Sequence, residues 1–160
     1  MKKNSLLFLL VMILLLSGAA QTQSGASAGA TNSARQKLKE YVAALQANPN
    51  DYELQQKIVK LAATLKPPPV IPEEARRYYV KAVAIQKDAK TPEEAALAVS
   101  AYKQALFLAP WWADAYYNMS SALRLAGRYP EAVWALTLYL ASNPKDARAV
   151  QDRIYGIEGE

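Results

Sequence analysis

The chain contains no cysteine and no histidine. Their absence removes disulfides, thiolate nucleophiles, thiolate zinc sites and imidazole bases together. Glycine is scarce, 6 in 160 residues, and no glycine-rich phosphate loop is legible. No nucleophile–base pair and no metal-ligand spacing can be found either. The paired carboxylates Glu73-Glu74 and Glu93-Glu94 sit where helices should begin, and the helix dipole accounts for them there. The sequence therefore argues against an enzyme, and no catalytic residue, cofactor or metal is expected.

Charge of one sign is not in large excess. The 19 basic and 14 acidic residues give +5, and Lys2 and Lys3 account for two of those charges. The remaining excess is a matter of solubility more than of nucleic-acid binding. Arg76, Arg77 and Lys81 beside Tyr78 and Tyr79 form a small basic-aromatic strip. With Glu73 and Glu74 one turn away, it reads as a solvated helix face.

What the chain does have is apolar residues, 52% of the total, rich in alanine and leucine, which favours helices over strands. An apolar run from Leu6 to Leu16 follows Lys2-Lys3 and precedes Gly18-Ala19-Ala20. A basic front, a short apolar core and small residues behind it are the layout of a signal peptide, and a membrane span needs ~20 residues. Residues 1–20 are thus expected to be a signal peptide cut after Ala20, exporting the protein to the periplasm or beyond. The alternative is an uncleaved anchor that makes the protein a membrane-tethered assembly subunit at the inner membrane. Residues 21–33 lack large apolar side chains and are expected to form a flexible linker.

Helix signals then follow in series. Ser33 with Gln36 reads as a capping box, and Leu38, Tyr41, Val42 and Leu45 give an apolar stripe. Asn48-Pro49-Asn50-Asp51 ends that helix, with Asn50 or Asp51 capping a second one that buries Leu54, Ile58, Leu61, Ala62 and Leu65. An N-terminal helical hairpin is expected over 34–66, and a proline-rich connector over 67–72. Pro72 opens a helix to about Lys90, and Thr91-Pro92-Glu93-Glu94 restarts one that ends before Pro110. Residues 113–126 form the next helix, closed by Gly127; Pro130 opens another; a last helix runs from about Lys145 to Tyr155.

Pro110 and Pro144 lie 34 residues apart, and Ala98, Val99, Ala101, Leu106 recur as Ala132, Val133, Ala135, Leu140. A two-helix period of ~34 residues closed by proline is the tetratricopeptide period. The chain from about 79 to 144 resembles the tetratricopeptide repeat (TPR) family, in the manner of a bacterial exported TPR protein. The fuller copy carries Tyr116, Met119, Ser120, Leu123, Gly127, Tyr129, Ala132, Leu136 and Pro144 at signature positions, with Tyr139 where the family prefers alanine. In the earlier copy Ile85, Ala98, Tyr102, Ala105 and Pro110 fit, whereas Ala82, Gln86 and Ala89 depart.

The resemblance implies an all-α fold: antiparallel helical hairpins stacked as a short right-handed solenoid, with TPR-like repeats and a capping helix over 73–157. Since a stack needs about three repeats, the first hairpin is expected to pack on helix 73–90. Arg148, Asp152 and Arg153 are expected on the outer side of the cap. The resemblance also implies a concave groove that takes a peptide or helix of a partner. The spacing lines up Asp114, Tyr117, Asn118, Ser121 and Arg124 on the unburied face of helix 113–126, with Lys87 continuing the groove on the preceding helix. Of the two adjacent indoles, Trp112 is expected in the core and Trp111 partly exposed, as a further contact. The expected function is a non-catalytic protein–protein interaction scaffold acting outside the cytoplasm. Its ligand is a protein or peptide, or a second copy of the chain in a homo-oligomer; it is not nucleic acid, and a membrane enters only through an uncleaved leader.

Overall fold

The computed structural model describes residues 29–159. The expected signal peptide and most of the expected linker lie outside the described residues. The described chain is all-helical, with seven helices and no strand. They are α1 (29–47), α2 (Tyr52–Thr64), α3 (Glu73–Asp88), α4 (Pro92–Leu108), α5 (Ala113–Leu125), α6 (Tyr129–Leu140) and α7 (Ala147–Glu158). The chain divides into two units, one ending at Lys37 and one running from Leu38 to the C-terminus. The packing below belongs to the second.

Local signals set most of the boundaries. Asp51, not Asn50, caps α2, its carboxylate accepting from the Leu54 amide at 2.9 Å. Thr91 and Glu94 form a reciprocal capping box at the start of α4, with Pro92 in the first turn. Past α5, Gly127 takes a left-handed φ of +72°. The Arg128 amide then reaches back to the Leu123 carbonyl at 2.8 Å and the Gly127 amide to Arg124 at 3.0 Å. This pair of bonds satisfies carbonyls that the helix end would otherwise orphan. One capping expectation is corrected. Residues 29–33 are already helical, so Ser33 lies inside α1 rather than capping it, and the linker ends earlier than expected.

From α3 onward, short connections return the chain on itself, and each helix packs on its neighbours in sequence; α3 also touches α5. Small residues permit the close approaches: Ala98, Ala105, Ser120 and Ala132 are fully buried. The core runs through Val99, Tyr102, Met119, Leu123, Leu136, Val150 and Ile154. Gln86, a departure from the repeat pattern, accepts a hydrogen bond from the Tyr102 hydroxyl at 2.7 Å and so gives that buried phenol its partner.

Of the two hairpin helices, α2 packs on α6 more than on α3, the helix that sequential stacking would favour. The Tyr52 and Trp134 rings meet edge-on at 5.2 Å, and the Trp134 indole N–H donates to Gln55 at 3.3 Å. Val59 joins the main core. The reason lies in α6, where Ala132, Ala135, Leu136 and Leu138 are buried and Val133, Trp134, Tyr139 and Leu140 pack against the core. A helix apolar most of the way round needs cover on more than one side, and the proline-rich segment between Leu65 and Glu73 lets the hairpin supply it.

Two outcomes follow. Gly127→Ala meets open space but forces a left-handed alanine, and should cost about 1 kcal/mol in urea denaturation. A double-mutant cycle of Tyr52→Ala with Trp134→Ala should show a coupling of about 1 kcal/mol. Additive losses would mean that the hairpin does not rest on α6.

Candidate functional site

Helix α5 has two faces of different chemistry. Tyr116, Met119, Ser120 and Leu123 are buried on one side, and the Tyr116 hydroxyl donates to the Pro110 carbonyl at 3.2 Å. The other side carries Asp114, Tyr117, Asn118, Ser121 and Arg124. Here Asp114 and Arg124 are exposed, while the three residues between them are half-buried.

That half-burial has specific causes. The Asn118 amide donates to the Tyr79 hydroxyl of α3 at 2.8 Å and to the Asp114 carbonyl at 3.0 Å. Tyr79 in turn lies against Trp112, ring centres 4.5 Å apart, and meets Tyr102 edge-on at 5.8 Å. At the opposite edge Arg153 of α7 reaches in. Its Nη1 donates to the Tyr117 hydroxyl at 3.2 Å and its Nη2 to Ser121 Oγ at 2.6 Å, with the guanidinium carbon 5.2 Å from the Tyr117 ring centre. Tyr117 also packs on Tyr139, ring centres 4.9 Å apart, and Tyr139 donates to Asp146 at 3.0 Å.

The result is a continuous strip: Tyr79 on α3, Asn118, Tyr117 and Ser121 on α5, Arg153 on α7. Arg153 therefore does not face outward as expected. Its guanidinium makes two charge-assisted hydrogen bonds and one ring contact there. Lys87 is exposed, two turns beyond Tyr79 along α3, with Val83 between them 41% exposed. It continues the stripe at helical spacing. Trp111 and Trp112 are both half-buried, and Trp112 packs against the core. Among the described residues, no hydrogen bond or ring contact joins Trp111 to the strip, and its indole nitrogen is buried without a hydrogen-bond partner. It is Trp112, through Tyr79, that reaches this face.

The electrostatics follow the same geometry. Burial raises the Tyr79 phenol above its ordinary value, and the Asp114 carboxylate adds to the effect. Tyr139 is pushed up to about 12, by burial first and then by its bond to Asp146, with Asp114 contributing. Asp114 thus makes itself felt at both ends of the strip. Among the described residues no group of three or more His, Cys, Asp or Glu side chains is placed to hold a metal ion. None of the described helices is long and apolar enough to cross a membrane.

Tyr79, Tyr139 and Arg153 were not among the residues expected at this face. Tyr139 carried a signal, a large ring where the repeat pattern wants a small one. Tyr79 stands one and two helical turns before Val83 and Lys87. Arg153 carried none, being 36 and 32 residues from its partners.

No family model matches the chain, and no curated protein or solved structure matches it.

The folded Tyr139 holds its proton more tightly than a free tyrosine of pKa 10.0. Its contribution to stability is therefore complete below pH ~10 and lost as the pH rises towards 12. Tyr139→Phe should flatten the alkaline fall of the melting temperature in that window. An unchanged profile would count against the burial assigned to this phenol.

Proposed function

We propose that α3 to α7 form a short TPR-like right-handed solenoid that serves as a non-catalytic protein–protein interaction module outside the cytoplasm. In this reading α3 and α4 make one repeat, α5 and α6 the next, and α7 is the cap. The neighbour-on-neighbour packing supports it, as do the complete burial of Ser120 and Ala132 and the left-handed turn at Gly127. The 34-residue recurrence that ends at Pro110 and Pro144 supports it from the sequence side.

The observation that carries the binding role is the strip itself. Odd-numbered helices α3, α5 and α7 are tied edge to edge by the Tyr79–Asn118 and Arg153–Tyr117–Ser121 bonds. Tyrosine and arginine are the side chains most often used as interface anchors. Held in place by one another, they lose little further freedom when a partner arrives. Tyr117, Asn118 and Ser121 then act as a fixed floor, while the exposed Asp114, Arg124 and Lys87 meet the peptide or helix. Trp111 has no part in this arrangement. Export rests on the leader pattern of residues 1–20 alone.

Photo-crosslinking residues placed at Asp114, at Lys87 and, as a control, at the exposed Lys60 of α2 test this in intact cells. The first two should trap one common partner that Lys60 does not, and Asp114→Lys should reduce its yield severalfold. Labelling at Lys60 alone, or equal labelling at all three, would put the contact face elsewhere.

A further inference from the structure

On the other side of α5 the structure holds a second feature. A pocket of about 180 Å³ lies between the N-terminal hairpin and helices α4, α5 and α6. Tyr52, Leu106, Met119, Leu123, Trp134 and Leu138 make up much of its wall. The polar atoms of Gln55, Trp134 and Tyr116 in that wall are engaged, and Gln46 and Asn50 stand at its exposed edge. Gln55 donates to the Pro49 carbonyl at 2.9 Å and accepts from Trp134 at 3.3 Å, and Tyr116 donates to Pro110 at 3.2 Å. The interior thus has little to offer a polar guest. Whatever enters must be apolar over most of its surface.

The mouth is different. The charged residues lining the pocket are Lys103 and Glu131, with side chains 55% and 42% exposed, so their charged ends stand at the opening. Arg128 grips both oxygens of Glu131, its Nε at 2.6 Å and its Nη2 on the second oxygen. Lys103 lies at 3.6 Å from the same carboxylate. Two cations therefore share one anion, and because Arg128 already makes the bidentate bond, the surplus positive charge sits with Lys103. An apolar chamber with a single positive excess at its rim is complementary to a guest with an apolar body and one anionic head.

Size narrows the class. An apolar protein cavity of ~150 Å³ takes a molecule of about one aromatic ring. A chamber of about 180 Å³ suits a short alkyl chain or a single ring and is too small for a full lipid. We propose that this pocket binds a small amphiphilic monocarboxylate, its apolar body among Leu106, Met119, Trp134 and Leu138 and its carboxylate beside Lys103. The hairpin forms one wall of the site through Tyr52 and Leu45. The inference does not rest on the peptide-binding role of the opposite face.

The methionines give a local probe, because the chain has 3, and Met1 and Met12 belong to the leader while Met119 lines the pocket. Full-length protein labelled with ¹³C at the methionine methyls is titrated with octanoate, octanol and octylammonium. Octanoate should move the Met119 resonance and bind about tenfold more tightly than octylammonium, the sign of the charge being reversed beside Lys103. Lys103→Gln should weaken octanoate about fivefold and leave octanol unchanged. Lys103 is surface-exposed, so that variant keeps its helicity, which circular dichroism verifies. As a second variant, Gln46→Trp at the exposed hairpin rim should weaken octanoate and octanol alike. The proposal fails if Met119 stays put with octanoate, if octylammonium matches octanoate, or if Lys103→Gln changes nothing. It fails equally if an acetylated Phe-Asp dipeptide amide moves Met119 where octanoate does not, since the pocket would then belong to a peptide.

Discussion

Helix α6 must be covered on several sides, and the arrangement of the rest follows from that demand. Its buried Ala132 and Ala135 allow close packing by α5, whose Ser120 is fully buried. Val150, Ile154 and Ile157 of α7 close a further side. What remains is Trp134 with its neighbours, and the N-terminal hairpin takes it. Magnitudes say what holds the hairpin there. A neutral hydrogen bond such as Gln55 to Trp134 contributes about 1 kcal/mol net. Full burial of an aliphatic side chain contributes ~1.5–3 kcal/mol, and Val59 is buried as part of the main core. Apolar burial supplies the affinity of the hairpin for its seat, and the Tyr52–Trp134–Gln55 contacts fix where it lands.

The strip across α3, α5 and α7 has a different energetic character. A partly exposed cation over an aromatic ring is worth about 0.5–1 kcal/mol, a neutral bond such as Asn118 to Tyr79 a similar amount, and a bond from the charged Arg153 about 1.5–3 kcal/mol before solvent screening. Such contacts are small beside the core, and removing one would leave the helices packed. Their effect is directional. Arg153 sets α7 against α5, and the Tyr79–Asn118 bond sets α3 against α5. Three helices with largely apolar buried faces thereby gain fixed relative positions on the face proposed to meet a partner.

What could be read from the sequence divides by the distance over which each signal acts. The Asp51 cap, the Thr91–Glu94 box and the turn at Gly127 each involve groups within about five residues, and each lies where the residues put it. Helix α1 shows the weakness of one such signal: Ser33 and Gln36 have the spacing of a box, yet the helix continues through them. The buried face of α5 was legible because the repeat pattern names Tyr116, Met119, Ser120 and Leu123 together. The exposed face was legible only as a row of positions. Which of those positions are engaged depends on Tyr79 and Arg153, 39 and 36 residues from their α5 partners, and no local rule links them. The seat of the hairpin depends on a contact across 79 residues. Its clue was the nearly unbroken apolar run of α6, which says that cover is needed but not from where.

The two candidate sites lie on opposite faces of one helix, and this limits how they can influence each other. Met119 and Leu123 look into the apolar pocket, while Tyr117 and Ser121 look into the strip. A ligand on one side shifts affinity on the other only if it favours a second arrangement of something both sides share. Helix α5 itself has no room for one. Ser120 and Ala122 are fully buried, and dense interiors do not deform continuously. The hairpin is the wall of the pocket that joins the stack through a connector rather than a short turn, and α2 meets α6 there. An occupant of the pocket would therefore be felt first in the seat of the hairpin on Trp134. The strip, tied to α3 and α7 by its own hydrogen bonds, would keep its geometry whether the pocket is filled or not.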